Sequence, residues 1–99
     1  MTRIVFTRIA RQELQDAVRY YELAYPGLGH RFRDEVRNAA RRIAAYPNAW
    51  SVERGEVRKC LLHKFPYKLL YSIEGDHILI IAVAHQHRRP DYWVEHQGS

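Results

Sequence analysis

The sequence predicts an α+β fold: an N-terminal strand, an antiparallel helical hairpin, then a mainly antiparallel β-meander sheet packed on the helices. Three observations predict it. Apolar residues in the first half recur at spacings of three and four, whereas those in the second half alternate by two. The change of period falls at one break, Tyr46-Pro47-Asn48. A β-prone run, Arg3 to Phe6, precedes the helical pattern.

The elements follow in order. Arg3 to Phe6 ends at Thr7, a residue type whose hydroxyl can cap a helix N-terminus. Ala10, Leu14, Ala17, Val18, Tyr21 and Tyr25 then form one helical face, with Arg11, Gln15, Arg19 and Glu22 largely on the other. Pro26-Gly27 stops this helix, since proline cannot continue it and glycine takes the turn. Phe32, Val36, Ala39, Ala40, Ile43 and Tyr46 repeat the stencil. So short a connection folds the two helices back into an antiparallel hairpin, and small Ala17, Ala39 and Ala40 allow close approach. Pro47 biases Tyr46 out of the helical region and ends the second helix.

In the second half, Trp50 to Arg54 predicts a weak strand and Val57 to Lys64 a longer one. Tyr67, Leu69, Tyr71 and Ile73 alternate with Lys68, Leu70, Ser72 and Glu74 in the next, and Gly75-Asp76 offers a tight hairpin turn. Ile78 to Ala84 is apolar on both faces, which predicts a central strand covered on both sides. Pro66 must sit at a strand edge or in a connection. The tail from Pro90 predicts one helical turn, with Tyr92 and Trp93 docking back.

Composition bounds the rest. The 99 residues, 46% hydrophobic and 27% charged, suit one domain over 1–99 with one modest core. Cys60 is the single cysteine, so no internal disulfide forms, and a reducing, cytoplasmic compartment is expected. The longest apolar run, 78–84, falls far short of the roughly 20 residues that span a bilayer, and the first eight residues lack a signal-peptide core. No membrane association is expected. Sixteen Lys and Arg against 11 Asp and Glu give a net charge of +5. The excess sits in the first half, above all at Arg31, Arg33, Arg37, Arg41 and Arg42. Such a face suits nucleic acid, an acidic partner segment, or simply solvent.

A set of landmarks carries a family resemblance: Tyr20-Tyr21 and Phe32 in the hairpin, the Tyr46-Pro47 exit, Arg58, Phe65-Pro66-Tyr67 with Tyr71, then His85 and Arg88 ahead of Pro90, Tyr92 and Trp93. In this order, over nearly the whole chain, they resemble the RelE/ParE superfamily toxins of bacterial type II toxin–antitoxin modules, in particular the ParE-like, plasmid-stabilisation type. The resemblance implies a small cytoplasmic growth inhibitor held inactive by a cognate antitoxin protein. It also implies two activities on one fold. RelE-like members cleave ribosome-bound mRNA without a metal, and ParE-like members poison DNA gyrase and are not themselves enzymes. Fold does not choose between them.

RNA cleavage without a metal needs a base for the 2′-hydroxyl, positive charge at the phosphorane and an acid for the leaving oxygen. His85 suits acid or base work, Arg58 and Arg88 offer forked donors to phosphate, and Tyr92 offers an acid or a stacking platform. Arg88 and Tyr92 match the arginine and tyrosine that serve these roles in RelE-like ribonucleases. Lys59, His63, Lys64 and Arg89 are the remaining candidates for nucleic-acid contact. The ribonucleases' lysine-rich first hairpin is missing here, and Glu53, Glu56 and Glu74 dilute the charge. This tilts the reading to ParE-like gyrase inhibition, with a RelE-like mRNA endoribonuclease and an inactive homologue that only binds its antitoxin as alternatives. Each candidate also has a packing role open to it: His85 closing a strand, Trp93 latching the core, Arg58 pairing across the sheet, Cys60 as a small buried apolar group. His85-x-His87 shares a strand face, but no third ligand completes a shell, so neither metal nor cofactor is expected.

Overall fold

The computed structural model describes residues 2–89 and 91–96; Pro90, the start of the predicted tail turn, lies outside them. Strand β1 (Arg3–Phe6) leads into α1 (Arg8–Ala24) and α2 (Leu28–Ala45). Four strands follow, β2 (Val52–Arg54), β3 (Val57–Leu61), β4 (Tyr67–Ile73) and β5 (His77–His85), and a short 3-10 helix at Tyr92–His96. The sheet order is β1-β5-β4-β3-β2. β1 runs parallel to β5, and the other neighbours are antiparallel. This is the predicted α+β architecture, with the N-terminal strand closing the sheet beside the last one.

The helix entries are explicit in the bonding. Thr7 Oγ1 accepts the Ala10 N–H at 3.0 Å as the N-cap of α1, and the same hydroxyl donates to the Ile81 carbonyl at 3.2 Å. The N-terminus of α2 is capped from a distance: Gly27 at φ +90° supplies no side chain, and Glu22 of α1 accepts from the Gly27 and Gly29 amides at 2.8 and 3.0 Å. These amides, the Gly27 one foremost, hold the Glu22 carboxyl below its ordinary range. Gly29 is required by close packing, because a Cβ there would lie 2.6 Å from the Val18 carbonyl oxygen.

Ala10, Ala17, Phe32, Val36, Ala39 and Ile43 pack on Cys60, Leu69, Tyr71, Ile78, Ile80 and Val83 to form the main core. On the opposite sheet face Val57, Leu70, Ile81 and Ala84 lie under Tyr92 and Trp93 of the 3-10 helix. The predicted double coverage of β5 is therefore present, with helices on one side and the tail on the other.

Two details depart from simple alternation. Leu70 pairs with Ala82 and Tyr71 with Ile80, so Ile81 is an extra residue, a β-bulge. The bulge shifts the phase of β5: Ile78 and Ile80 face the helices, then Val83 does, while Ile81, Ala82 and Ala84 face the tail. His85 is thereby turned to the helix side. The strand read as Val57 to Lys64 ends at Leu61 instead. The Leu62 N–H returns to the Tyr67 carbonyl at 2.9 Å, and Lys64 sits at φ +70°, so the chain has already turned back before Pro66.

Candidate functional site

The bulge and the end of β5 build a polar cleft of about 270 Å³ lined by Glu13, Asp16, Ala17 and Tyr20 of α1 with Tyr67, Val83, His85 and Arg88. Of the four residues singled out for RNA chemistry, His85 and Arg88 line it, and Tyr92 adjoins it through Glu13 and Arg88. Arg58 does neither. It pairs with Tyr71 on β4 whereas His85 pairs with Tyr67, about 13 Å further along the strand. Its guanidinium donates to the Trp50 and Asn48 carbonyls at 2.6 and 3.4 Å, and the Tyr71 hydroxyl donates to the Pro47 carbonyl at 2.5 Å. Together they pin the connection that leaves α2. Burial pushes the Tyr71 hydroxyl up to about 12, against the pull of Arg58.

Within the cleft most polar groups are already engaged. The Tyr92 hydroxyl donates to Glu13 Oε2 at 2.7 Å, and the Val83 N–H donates to Glu13 Oε1 at 2.9 Å. Glu13 thus satisfies a β5 amide that β1, ending at Phe6, does not reach, and ties the tail to α1. Burial first, then the Glu13 carboxylate, drives the Tyr92 hydroxyl far above its ordinary range, so it holds its proton. Arg88 lies 4.1 Å from the Tyr92 ring centroid, a cation–π contact that leaves its outer face in solvent. His85 stands edge-on to Tyr67 at 5.3 Å, and its Nδ1 accepts the His87 N–H at 3.1 Å. The neutral ring then carries its proton on Nε2. The His85 and His87 rings are 5.4 Å apart. Among the described residues no three His, Cys, Asp or Glu side chains group closely enough to hold a metal ion.

The candidates for nucleic-acid contact are scattered. Lys59 lies on the tail side of the sheet, 3.7 Å from Glu53, which also meets Lys68 at 3.5 Å. Lys64 borders a separate cavity of about 540 Å³ with Tyr21, Phe65 and Arg31, beside His63, whose N–H donates to Glu35 at 2.9 Å. Arg89 is exposed after β5. Cys60 is fully buried, its thiol pushed up by burial despite Arg42 at 3.9 Å. No helix among the described residues is long and apolar enough to cross a membrane.

A second surface has the opposite character. Thr2, Ile4 and Phe6 of the β1 flank, Leu14 of α1, and Val36, Ala40 and Ala44 of α2 line an apolar groove of about 550 Å³. Arg33, Arg37 and Arg41 stand along it. The arginine set flagged in the sequence is therefore divided: three border the groove, Arg31 borders the Phe65 cavity, and Arg42 donates to the Leu61 carbonyl at 3.1 Å as a structural tie. Sequence reasoning missed Glu13 and the groove's apolar floor. The signal for Glu13 was an acid directly beside inward-facing Leu14.

Comparison with known proteins adds the following. The family model described as the ParE toxin of type II toxin–antitoxin system, parDE, matches residues 4–90. No curated protein matches the chain. Among solved structures, the chromosomal ParDE toxin–antitoxin system from P. aeruginosa is similar, with a TM-score of 0.75 at 18% identity, covering 86% of this chain and 96% of that one. At that identity the likeness concerns the fold.

Proposed function

From the premise that the chain belongs to the ParE toxin family of type II toxin–antitoxin systems, we propose that it arrests growth by inhibiting DNA gyrase and is held inactive by a cognate antitoxin. It would work in the cytoplasm, through a surface rather than a reaction of its own. The family match over residues 4–90 supports the toxin. The observation that favours gyrase over mRNA is the commitment of the RNA-cleaving candidates to packing. Tyr92 donates to Glu13 and Arg58 to the backbone of 48–50, and Lys59, a candidate for nucleic-acid contact, faces Glu53. A phosphorane needs those donors converged and free.

One observation favours the RelE-like alternative: His85 and the outer face of Arg88 share a cleft walled by Tyr20 and Tyr67. The test is direct. Purified chain added to DNA gyrase with relaxed plasmid should abolish supercoiling, and His85→Ala and Arg88→Ala should inhibit as well as wild type. Undisturbed supercoiling, with cleavage of mRNA on added ribosomes, would overturn the reading in favour of the ribonuclease. Normal growth on expression without antitoxin would leave only the binding-module alternative.

A further inference from the structure

The tip of the helical hairpin and the turn after β3 enclose the cavity of about 540 Å³. Its floor is apolar: Tyr21 of α1, Leu28 of α2, and Phe65 and Pro66 of the turn. The floor is also fixed. Tyr21 stacks on Phe32 at 5.2 Å, and Phe65 stands edge-on to both rings at 5.0 and 5.1 Å. The Gln86 N–H donates to the Pro66 carbonyl at 2.8 Å. The rim carries two cations and two carboxylates. Both carboxylates are engaged, Asp34 with Arg37 at 3.5 Å and Glu35 with the His63 N–H at 2.9 Å. The cations, Arg31 and Lys64, make no side-chain hydrogen bond or ion pair among the described residues. Lys64 is held at φ +70°, a left-handed conformation that glycine takes without strain. The end of α1 beside Tyr21 also concentrates exposed apolar side chains: Tyr20, Leu23 and Tyr25, with Leu23 81% exposed. Among the described residues the other exposed large apolar side chains lie singly along the sequence.

Resting on the gyrase reading above, we propose that this hairpin-tip pocket is the chain's contact with gyrase. It seats an aromatic or aliphatic side chain from a surface segment of gyrase, and Arg31 and Lys64 hold an Asp or Glu beside that side chain. The floor anchors, and because it is already ordered little freedom is lost on binding. The cations select, since they attract an acidic segment and repel a basic one. The DNA that gyrase carries is a poor occupant. A phosphate backbone would leave the aromatic floor uncovered and meet Asp34 and Glu35 on the same rim. A wholly apolar segment would desolvate the cations without partners. An acidic segment with an apolar anchor meets both demands. Tyr20, Leu23 and Tyr25 extend the contact beyond the pocket, because apolar side chains gathered in solvent mark such a surface. Lysine at a position that glycine fills more easily serves the rim rather than the fold.

The full chain is assayed for inhibition of plasmid supercoiling by DNA gyrase, beside calorimetric titration with its cognate antitoxin. Lys64→Gly should raise the half-inhibitory concentration about 10-fold while its Tm stays level or rises, since backbone strain is relieved as the charge is lost. Arg31→Glu should raise it about 10-fold as well, and Arg31→Glu with Lys64→Glu about 100-fold. Leu28→Trp, which fills the pocket, should abolish inhibition. Arg8→Glu, the same charge change about 24 Å away at the other end of α1, should inhibit as wild type. All of these variants should bind antitoxin with wild-type affinity. A wild-type chain that inhibits, with Lys64→Gly, Arg31→Glu and Leu28→Trp inhibiting equally well, would overturn the pocket assignment and leave the gyrase reading standing. Weakened antitoxin binding with inhibition intact would overturn it in favour of an antitoxin surface. A lowered Tm in Lys64→Gly would make the turn part of the scaffold and overturn it too. A wild-type chain that leaves supercoiling undisturbed would sink the gyrase reading itself, and the pocket assignment with it.

Discussion

The end of β5 and the flank of α2 both present arginines beside aromatic or aliphatic side chains, and they are built on opposite principles. At the end of β5 the polar groups are largely tied to the protein itself, with the outer face of Arg88 left in solvent. Glu13 accepts from Val83 and Tyr92, His85 accepts from His87, and Arg88 lies on the Tyr92 ring. Along α2, Arg33 and Arg41 have no carboxylate in reach among the described residues, Arg41 donates to the neutral Asn38 side chain at 3.0 Å, and an apolar floor stays open beside them. A buried polar group with all its partners rigidifies a fold, whereas unpaired charge around uncovered apolar surface is what a partner recognises. The presence of chemically able residues therefore says less about function than whether their donors and acceptors are free.

Substitutions can break or sharpen this contrast. The largest effect is expected at Glu13. Glu13→Ala strands the Val83 N–H and the Tyr92 hydroxyl and should cost about 2–4 kcal/mol in urea unfolding. If Glu13→Ala left stability untouched, the cleft would not be the scaffold described. Gly29→Ala comes next, at about 1–3 kcal/mol, since the new Cβ would force α1 and α2 apart at the Val18 carbonyl. Tyr92→Phe removes one hydrogen bond from the latch and should cost about 1 kcal/mol, a fall in Tm of roughly 4–8 °C for a chain of this size. Arg33→Gln, Arg37→Gln and Arg41→Gln should each change stability by no more than about 0.5 kcal/mol, while weakening antitoxin binding. A large loss of stability in these variants would mean that the groove is scaffold too.

The smallest effect is a pH dependence. Glu22 has a lowered pKa in the folded chain, so it binds protons more readily when unfolded. Its contribution is fully present above the unfolded value near 4.5 and is lost as pH falls through the lower folded value. Unfolding curves of Glu22→Gln and wild type should therefore converge as pH drops below about 4.5 and separate above it.

The fold was readable because its elements are periodic. The α1 and α2 stripes, the Thr7 cap and the alternation in β4 are local patterns, and each element formed where its pattern lies. What escaped is long-range. Ile78 to Ala84 is apolar throughout, so no pattern betrays the extra residue at Ile81 that turns His85 to the helix side. Glu13 acts on residues 70 and 79 positions away, and nothing local marks it except its place beside Leu14. The end of β3 depends on the left-handed turn at Lys64, a residue type that rarely takes that conformation. The arginines of α2 were visible as a set, but their division among groove, Phe65 cavity and the Leu61 carbonyl follows from helix phase against neighbours that sequence does not place.

The central claim is that this ParE-family chain acts on gyrase through a surface and that the cleft residues are structural. The most direct test is pulse labelling of DNA and protein synthesis in one culture after inducing the chain without antitoxin. The account predicts that DNA synthesis falls first, in wild type and in Arg88→Ala alike. An early fall in protein synthesis that disappears in Arg88→Ala would contradict it and make the end of β5 an active site.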